Sequence, residues 1–171
     1  GSSKILKSMN RKYDLNFYRQ IIEKLKNANS KIEISSDFIV GYPGESDDDF
    51  KQTLDLVDEI KFTQSYSFIY SQRYGTKSAL KEDLTPLCVK KERLTILQKK
   101  LNEIQLNFNK SFCNKNVNVL IENQSISNPD YFFGRTPFMQ SVYVKSQGIK
   151  AGEEKNINIS TCNHKSLYAT C

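Results

Sequence analysis

The chain has 171 residues, enough for one ordinary domain or one and a half small ones. Its hydrophobic share of 38% and charged share of 26% are those of a soluble globular protein rather than a disordered or fibrous one. A formal net charge of +6 fits a polyanion partner such as RNA, though it is also common in proteins that bind none; no segment is long and apolar enough to span a membrane, and the N-terminus has no signal-peptide core.

The start, Gly1-Ser2-Ser3, carries no initiator Met and reads either as a cloning scar or as the interior of a longer chain. Asp14 then caps a helix whose apolar residues Leu15, Tyr18, Ile21, Ile22 and Leu25 share one face. Residues 31–40 follow as a strand. Phe38, Ile39 and Val40 form an apolar, β-branched-rich run, as expected of a parallel strand covered on both faces. Ser46 and Asp49 have capping-box spacing, and Asp47, Asp48 and Asp49 suit the positive end of a helix over residues 46–60. Residues 62–70 make a second strand, which runs into the loop Ser71-Gln72-Arg73-Tyr74-Gly75-Thr76. The order helix, helix, strand, helix, strand marks consecutive βα units. Two strands are too few to close a barrel and would leave hydrogen-bonding edges bare, so further strands are expected upstream.

Thr85-Pro86 breaks the pattern, and a long helix is expected from about 89 to 112. Leu94, Leu97, Leu101, Ile104 and Phe108 form its stripe, and Lys90, Lys91, Glu92, Lys99 and Lys100 its charged face. From Asn116 the texture changes to short alternating strands at 117–121, 140–144 and 156–159. Turns are expected at Asn128-Pro129, Gly134, Gly148 and Gly152, and the whole suggests a small OB-like barrel. Cys88, Cys113, Cys162 and Cys171 lie far apart in the sequence and match no metal or redox spacing, so they read as reduced thiols of a cytosolic protein. Cys162 with His164 supplies only two of the four ligands of a zinc site, and no metal ligand is assigned.

The chemistry concentrates where the first strand ends. Gly41 and Gly44 permit backbone geometry closed to other residues, and Pro43 stiffens the turn between them. In α/β proteins this corner is where ligands bind, although the same residues also make an ordinary βα turn. In the C-terminal part, Tyr131, Phe132, Phe133, Arg135, Phe138 and Tyr143 mix aromatics with a cation, as do surfaces that stack bases and hold phosphates. Half of a small barrel's aromatics belong to its core, which favours Arg135, Lys145 and Lys150 as contacts over the phenylalanines.

Four stretches carry a family resemblance, in order along the chain: Ser8-Met9-Asn10-Arg11-Lys12-Tyr13, residues 34–46, Phe68-Ile69-Tyr70-Ser71 with Arg73 and Gly75-Thr76, and Gln105-Leu106-Asn107-Phe108-Asn109. Together they resemble the MiaB-type tRNA methylthiotransferases. Ile34-Ser35-Ser36-Asp37-Phe38-Ile39-Val40-Gly41 is the most specific part, and it favours the tRNA-modifying branch over the ribosomal-protein-modifying one. The resemblance implies an α/β unit over residues 1–104, the C-terminal part of a radical-SAM partial TIM barrel. A small all-β OB-like TRAM barrel is implied over 105–171, and Gly134-Arg135-Thr136 resembles the TRAM motif. It makes Gly1-Ser2-Ser3 native sequence.

As the resemblance implies it, the reaction adds a methylthio group to C2 of an N6-isopentenyl-adenosine beside the tRNA anticodon. It uses S-adenosyl-L-methionine both as methyl donor and as source of a 5′-deoxyadenosyl radical, together with two 4Fe-4S clusters. The implied partner is tRNA through its anticodon stem-loop; the protein would be a cytoplasmic monomer with no membrane contact. By the same resemblance Ser2, Ser3, Asp37, Ile39, Gly41, Pro43, Gly44 and Arg73 line the S-adenosylmethionine site, and Tyr131, Arg135, Lys145 and Lys150 meet RNA. Arg73 suits the ligand carboxylate, a tRNA phosphate or a surface salt bridge equally, and Asp37 either the ligand or the neighbouring strand. The CxxxCxxC triplet of the family does not occur in this sequence. Tyr74 and Lys77 stand where the family often has Pro, and Tyr42 where it has Phe. No catalytic residue is assigned, and the chain alone is expected to be inactive. The rival reading is a free-standing RNA-binding module built on the TRAM barrel.

Overall fold

A computed structural model describes residues 1–126, 128–145 and 148–170. The chain divides between Leu101 and Asn102 into two compact units, and the boundary falls within one helix.

The first unit opens with a short helix α1 (Ser3–Ser8), whose first turn is capped by the Ser2 hydroxyl accepting from the Ile5 amide. Asp14 caps α2 (Leu15–Ala28) in the same way, accepting from the Phe17 amide at 2.8 Å. Strand β1 (Ser35–Val40) leads into α3 (Asp47–Ile60), and β2 (Gln64–Ile69) follows. The Ser46–Asp49 capping box forms as the spacing predicts, and the three first-turn aspartates face the positive end of α3. A 3-10 turn, Lys77–Leu80, precedes the long helix α4 (Leu87–Lys110).

β1 and β2 pair in parallel, from Ser35 opposite Gln64 to Val40 opposite Ile69. Phe38 and Val40 point into a core with Phe50, Leu56, Val57, Ile60 and Phe62, and Phe38 meets Phe62 edge to face at 5.2 Å. The alternate positions face the other way. Ile39 is 42% exposed, Tyr66 62% and Phe68 55%. This corrects the expectation of a strand covered on both faces. An apolar run without alternation fits a doubly covered strand, but among the described residues only one face of this sheet is packed.

The second unit is a curled six-stranded sheet of β3 (Asn116–Gln124), β4 (Tyr131–Arg135), β5 (Ser141–Lys145), β6 (Glu154–Asn158), β7 (Thr161–Cys162) and β8 (Ser166–Thr170). The spatial order is β6-β3-β4-β5-β8-β7, antiparallel throughout except for the parallel pair β5 and β8. Val119, Ile121, Val142, Val144, Ile157, Ile159, Leu167 and Ala169 fill its core. The end of α4 is tied to this unit by Asn109, which is buried; it donates to the Asn163 carbonyl at 2.8 Å and accepts from Gln140 Nε2 at 2.7 Å.

Gly134 lies inside β4, not at a turn as its composition suggests. A Cβ there would stand 2.5 Å from the Leu120 carbonyl oxygen of β3, so close strand approach, not chain reversal, calls for glycine. Gly148 (φ 87°) and Gly152 (φ 86°) do take left-handed turn conformations.

Candidate functional site

The β1–α3 corner is built around one buried ion pair. Gly41 takes a left-handed conformation (φ 69°), which allows its N–H to donate to Glu45 Oε2 at 2.7 Å. The same carboxylate accepts from Arg93 of α4 at 2.9 Å, and both side chains are almost wholly buried. Arg93 also donates to the Glu45 carbonyl at 3.1 Å and to Asp47 at 2.7 Å, and its guanidinium stands 5.7 Å from the Phe50 ring centre. Burial opposes its charge, but Asp47 and Glu45 outweigh that and hold its pKa above the ordinary value. Lys90, one turn earlier, lies against Gly41: a Cβ on that glycine would meet the Lys90 Cγ at 2.6 Å. Helix α4 thus clamps the loop from outside with two cations, and Lys90 in turn pairs with Asp83.

A second knot fixes the first turn of α3. Asp49 accepts from Ser2 Oγ at 2.6 Å, Lys4 Nζ at 2.6 Å, the Ser46 amide at 2.9 Å and Ser46 Oγ at 2.7 Å. Burial would raise its pKa, but the Lys4 ammonium, the two hydroxyls and the amide reverse this and hold the carboxyl well below the usual carboxylate range.

Ser2, Asp37 and Ile39 line one cavity, in company with Arg11 and Glu45. Its volume of about 120 Å³ is well below the roughly 300–1,000 Å³ of ordinary small-molecule sites, so it suffices only as one lobe of a larger site. Ser2 is buried and committed to Asp49 and the α1 cap. Ser3, outside the cavity, accepts from the Leu15 amide at 3.1 Å. Asp37 and Ile39 lie on the exposed sheet face, opposite Tyr66 and Phe68 respectively. Pro43 is buried in the turn, while Gly44 (φ 86°) is exposed and its carbonyl accepts from Lys4 at 3.1 Å. Arg73 is exposed in the loop after β2, where its carbonyl accepts the Thr76 hydroxyl at 2.8 Å.

Sequence reasoning passed over Arg93 and placed Lys90 on a charged outer face; both are buried. A signal was present for Arg93, which stands four and eight residues before the buried Leu97 and Leu101 and so interrupts the apolar stripe. Tyr70, quoted in sequence only within a family stretch, was assigned no site role. It follows β2, packs edge to face on Tyr42 at 5.0 Å, and its buried hydroxyl has no hydrogen-bond partner among the described residues.

In the second unit, Tyr131 and Arg135 lie on β4, and Lys145 lies on β5 directly opposite Tyr131. Arg135 pairs with Glu122 at 3.1 Å, donates to the Met139 carbonyl at 3.2 Å and covers the Phe133 ring at 5.3 Å. Lys150 stands apart, in the loop before β6. Two of the cysteines that are distant in sequence meet in space: Cys113 and Cys162 have their sulfurs 3.5 Å apart. Burial and the neighbouring thiol push Cys162 up to about 11. Among the described residues no group of three or more His, Cys, Asp or Glu is arranged to hold a metal ion.

Residues 1–57 match the family model of the Radical SAM superfamily. Across 146 residues, 85% of this chain, it is 51% identical to the tRNA-2-methylthio-N(6)-dimethylallyladenosine synthase of Rickettsia bellii (strain OSU 85-389). It is equally identical to the protein of that name from Rickettsia canadensis (strain McKiel), again over 146 residues. The match to that of Rickettsia conorii (strain ATCC VR-613 / Malish 7) is 46% over 168 residues, 98% of this chain. The chain spans 32% to 38% of the length of these curated relatives. These matches bear out the resemblance read from the motifs: the chain is similar to the tRNA-2-methylthio-N(6)-dimethylallyladenosine synthases of these Rickettsia species over nearly all of its own length and about a third of theirs.

Proposed function

We propose that this chain is part of a radical-SAM tRNA methylthiotransferase, which adds a methylthio group to C2 of N6-(dimethylallyl)adenosine next to the anticodon. The observation that carries the reading is the Arg93–Glu45–Gly41 clamp. It rigidifies a glycine turn at the C-terminal edge of a parallel strand, inside the stretch that matches the Radical SAM superfamily. Preorganised turns of this kind let backbone approach a ligand closely.

S-adenosylmethionine, when bound, supplies the methyl group and the radical-forming chemistry. The residues present fit that ligand: the exposed face of Asp37 and Ile39 and the opened turn at Gly44 offer it a wall, and the orphaned Tyr70 hydroxyl is a buried polar group that a ligand at the strand end would satisfy. Ser2 and Ser3 support the site from behind, through Asp49 and the start of α2. Arg73 stands outside the clamp and is assigned to an anionic group of the ligand or of tRNA. For the iron–sulfur clusters of the family the fit fails. Clusters need several thiolates; the described cysteines supply a single sulfur pair, and the sequence has no CxxxCxxC spacing. Alone, then, the chain is expected to be inactive.

The curled β unit, with Gly134-Arg135-Thr136 at its centre, reads as the OB-like TRAM domain. Tyr131, Arg135, Lys145 and Lys150 are its contacts to the anticodon stem-loop, in a cytoplasmic monomer that makes no membrane contact. The rival, an RNA-binding module without chemistry, shares this half of the reading. Equilibrium binding of labelled S-adenosylmethionine to the full-length protein separates the two. Gly41→Ala, which strains the turn and crowds Lys90, should weaken binding about tenfold or more. Unchanged affinity would remove the corner from the site; no binding by the wild type would favour the rival.

A further inference from the structure

Strands β4, β5 and β8 lie side by side, and their registers set Phe133 opposite Tyr143 and Tyr143 opposite Tyr168. The three rings therefore form one row across three strands. The row is on the outer face, since their neighbours Val142, Val144, Leu167 and Ala169 fill the core from the other. Phe133 and Tyr143 have ring centres 5.5 Å apart, and Tyr143 and Tyr168 lie 5.7 Å apart and within 18° of parallel. Arg135 covers Phe133 at one end. At the other end Tyr143 and Tyr168 border an open cavity of about 480 Å³, whose remaining walls include Tyr131, Asn128, Asn163 and Lys165.

Cross-strand aromatic pairs stabilise a sheet wherever they occur, and that alone would account for the contacts. It does not account for their setting. All three rings are only half-buried, and two of them form the wall of a cavity with polar and cationic sides and a size suited to a nucleoside. A π-face beside a cation is what an unpaired base and its phosphate require, whereas a duplex hides its bases and offers only backbone.

We propose that the Phe133–Tyr143–Tyr168 row is a stacking platform for unpaired RNA bases, with Lys165 and Lys145 placed for the adjoining phosphates. This rests on the RNA-binding reading of the β unit and sharpens it: the unit selects looped or single-stranded RNA over duplex. The test titrates the full-length protein with a stem-loop RNA carrying 2-aminopurine in its loop, and with a blunt duplex of equal charge. The expected result is a preference for the stem-loop and quenching of the 2-aminopurine on binding. Tyr168→Leu should reduce stem-loop affinity by about 5- to 150-fold, as loss of one base stack does, and collapse the preference over duplex. Tyr168→Phe, which gives up only the hydroxyl contact to Asn163, should retain it. The slope of affinity against salt should stay near the wild-type value in both, because no phosphate contact is removed. Equal binding of stem-loop and duplex by the wild type, without quenching, would overturn the platform while leaving RNA binding intact. No affinity for either RNA would overturn both readings. The quenching measurement stands even if Tyr168→Leu fails to fold.

Discussion

At the scale of single residues, the side chains that matter most in the corner are those that hold other side chains. Arg93 keeps the Glu45 carboxylate satisfied in a site with almost no water access. Arg93→Met would leave that charge buried and unpaired, and should cost about 3–5 kcal/mol in urea unfolding. Asp49 gives a pH signature. Its folded pKa is depressed, so the stability it contributes is present above the unfolded carboxyl value near 4 and is lost as pH falls through the lower, folded value. Wild-type stability should therefore decline below about pH 4 more steeply than that of Asp49→Asn, which has no carboxyl to titrate. Equal slopes in acid denaturation would mean that Asp49 is not held as described. Cys162, with its thiol pushed up to about 11 beside Cys113, should resist iodoacetamide at neutral pH, while the exposed Cys88 reacts. Peptide mapping after a short pulse reads this directly. The capping residues Asp14, Ser46 and Asp49 were legible in sequence because capping is local chemistry. Arg93 and Lys90 were not: a long basic helix names no partner for its cations until the fold brings Glu45 and Asp83 to them.

The same division appears among the elements. Helices α2, α3 and α4 were recognisable from 3.6-residue periodicity, the first two also from their caps, and β1 from its apolar run. Half of the β unit was not. Strand β4 read as an aromatic patch with a glycine turn because a glycine inside a strand looks like a turn residue, and β7 and β8 went unmarked because β7 is two residues long and β8 pairs with β5 across two intervening strands in the sequence. Gly134 belongs to this scale. Adding one methyl against the Leu120 carbonyl forces β3 and β4 apart, and Gly134→Ala should destabilise the β unit by about 1–3 kcal/mol. A thermal melt followed by far-ultraviolet circular dichroism would show it as a lowered transition, and an unchanged melt would place the strands further apart than they lie in this fold.

For the whole molecule, the proposed function assigns the two compact units two different kinds of recognition. One presents a clamped strand-end turn on an α/β scaffold, the other an aromatic and basic outer face on a curled sheet. The proposed radical methylthiotransferase would use both, one for the small cofactor and one for the nucleic acid. The family resemblance was legible because its motifs are contiguous in sequence; the clamp and the aromatic row were not, because each is assembled from separate elements. The most direct test of the central claim is nucleoside mass spectrometry of tRNA from source cells in which the gene encoding this chain is inactivated. The expected result is loss of the 2-methylthio form of N6-(dimethylallyl)adenosine, with the unthiolated nucleoside accumulating in its place and an intact gene copy restoring the modification. Persistence of the methylthio nucleoside at its normal level would contradict the assignment.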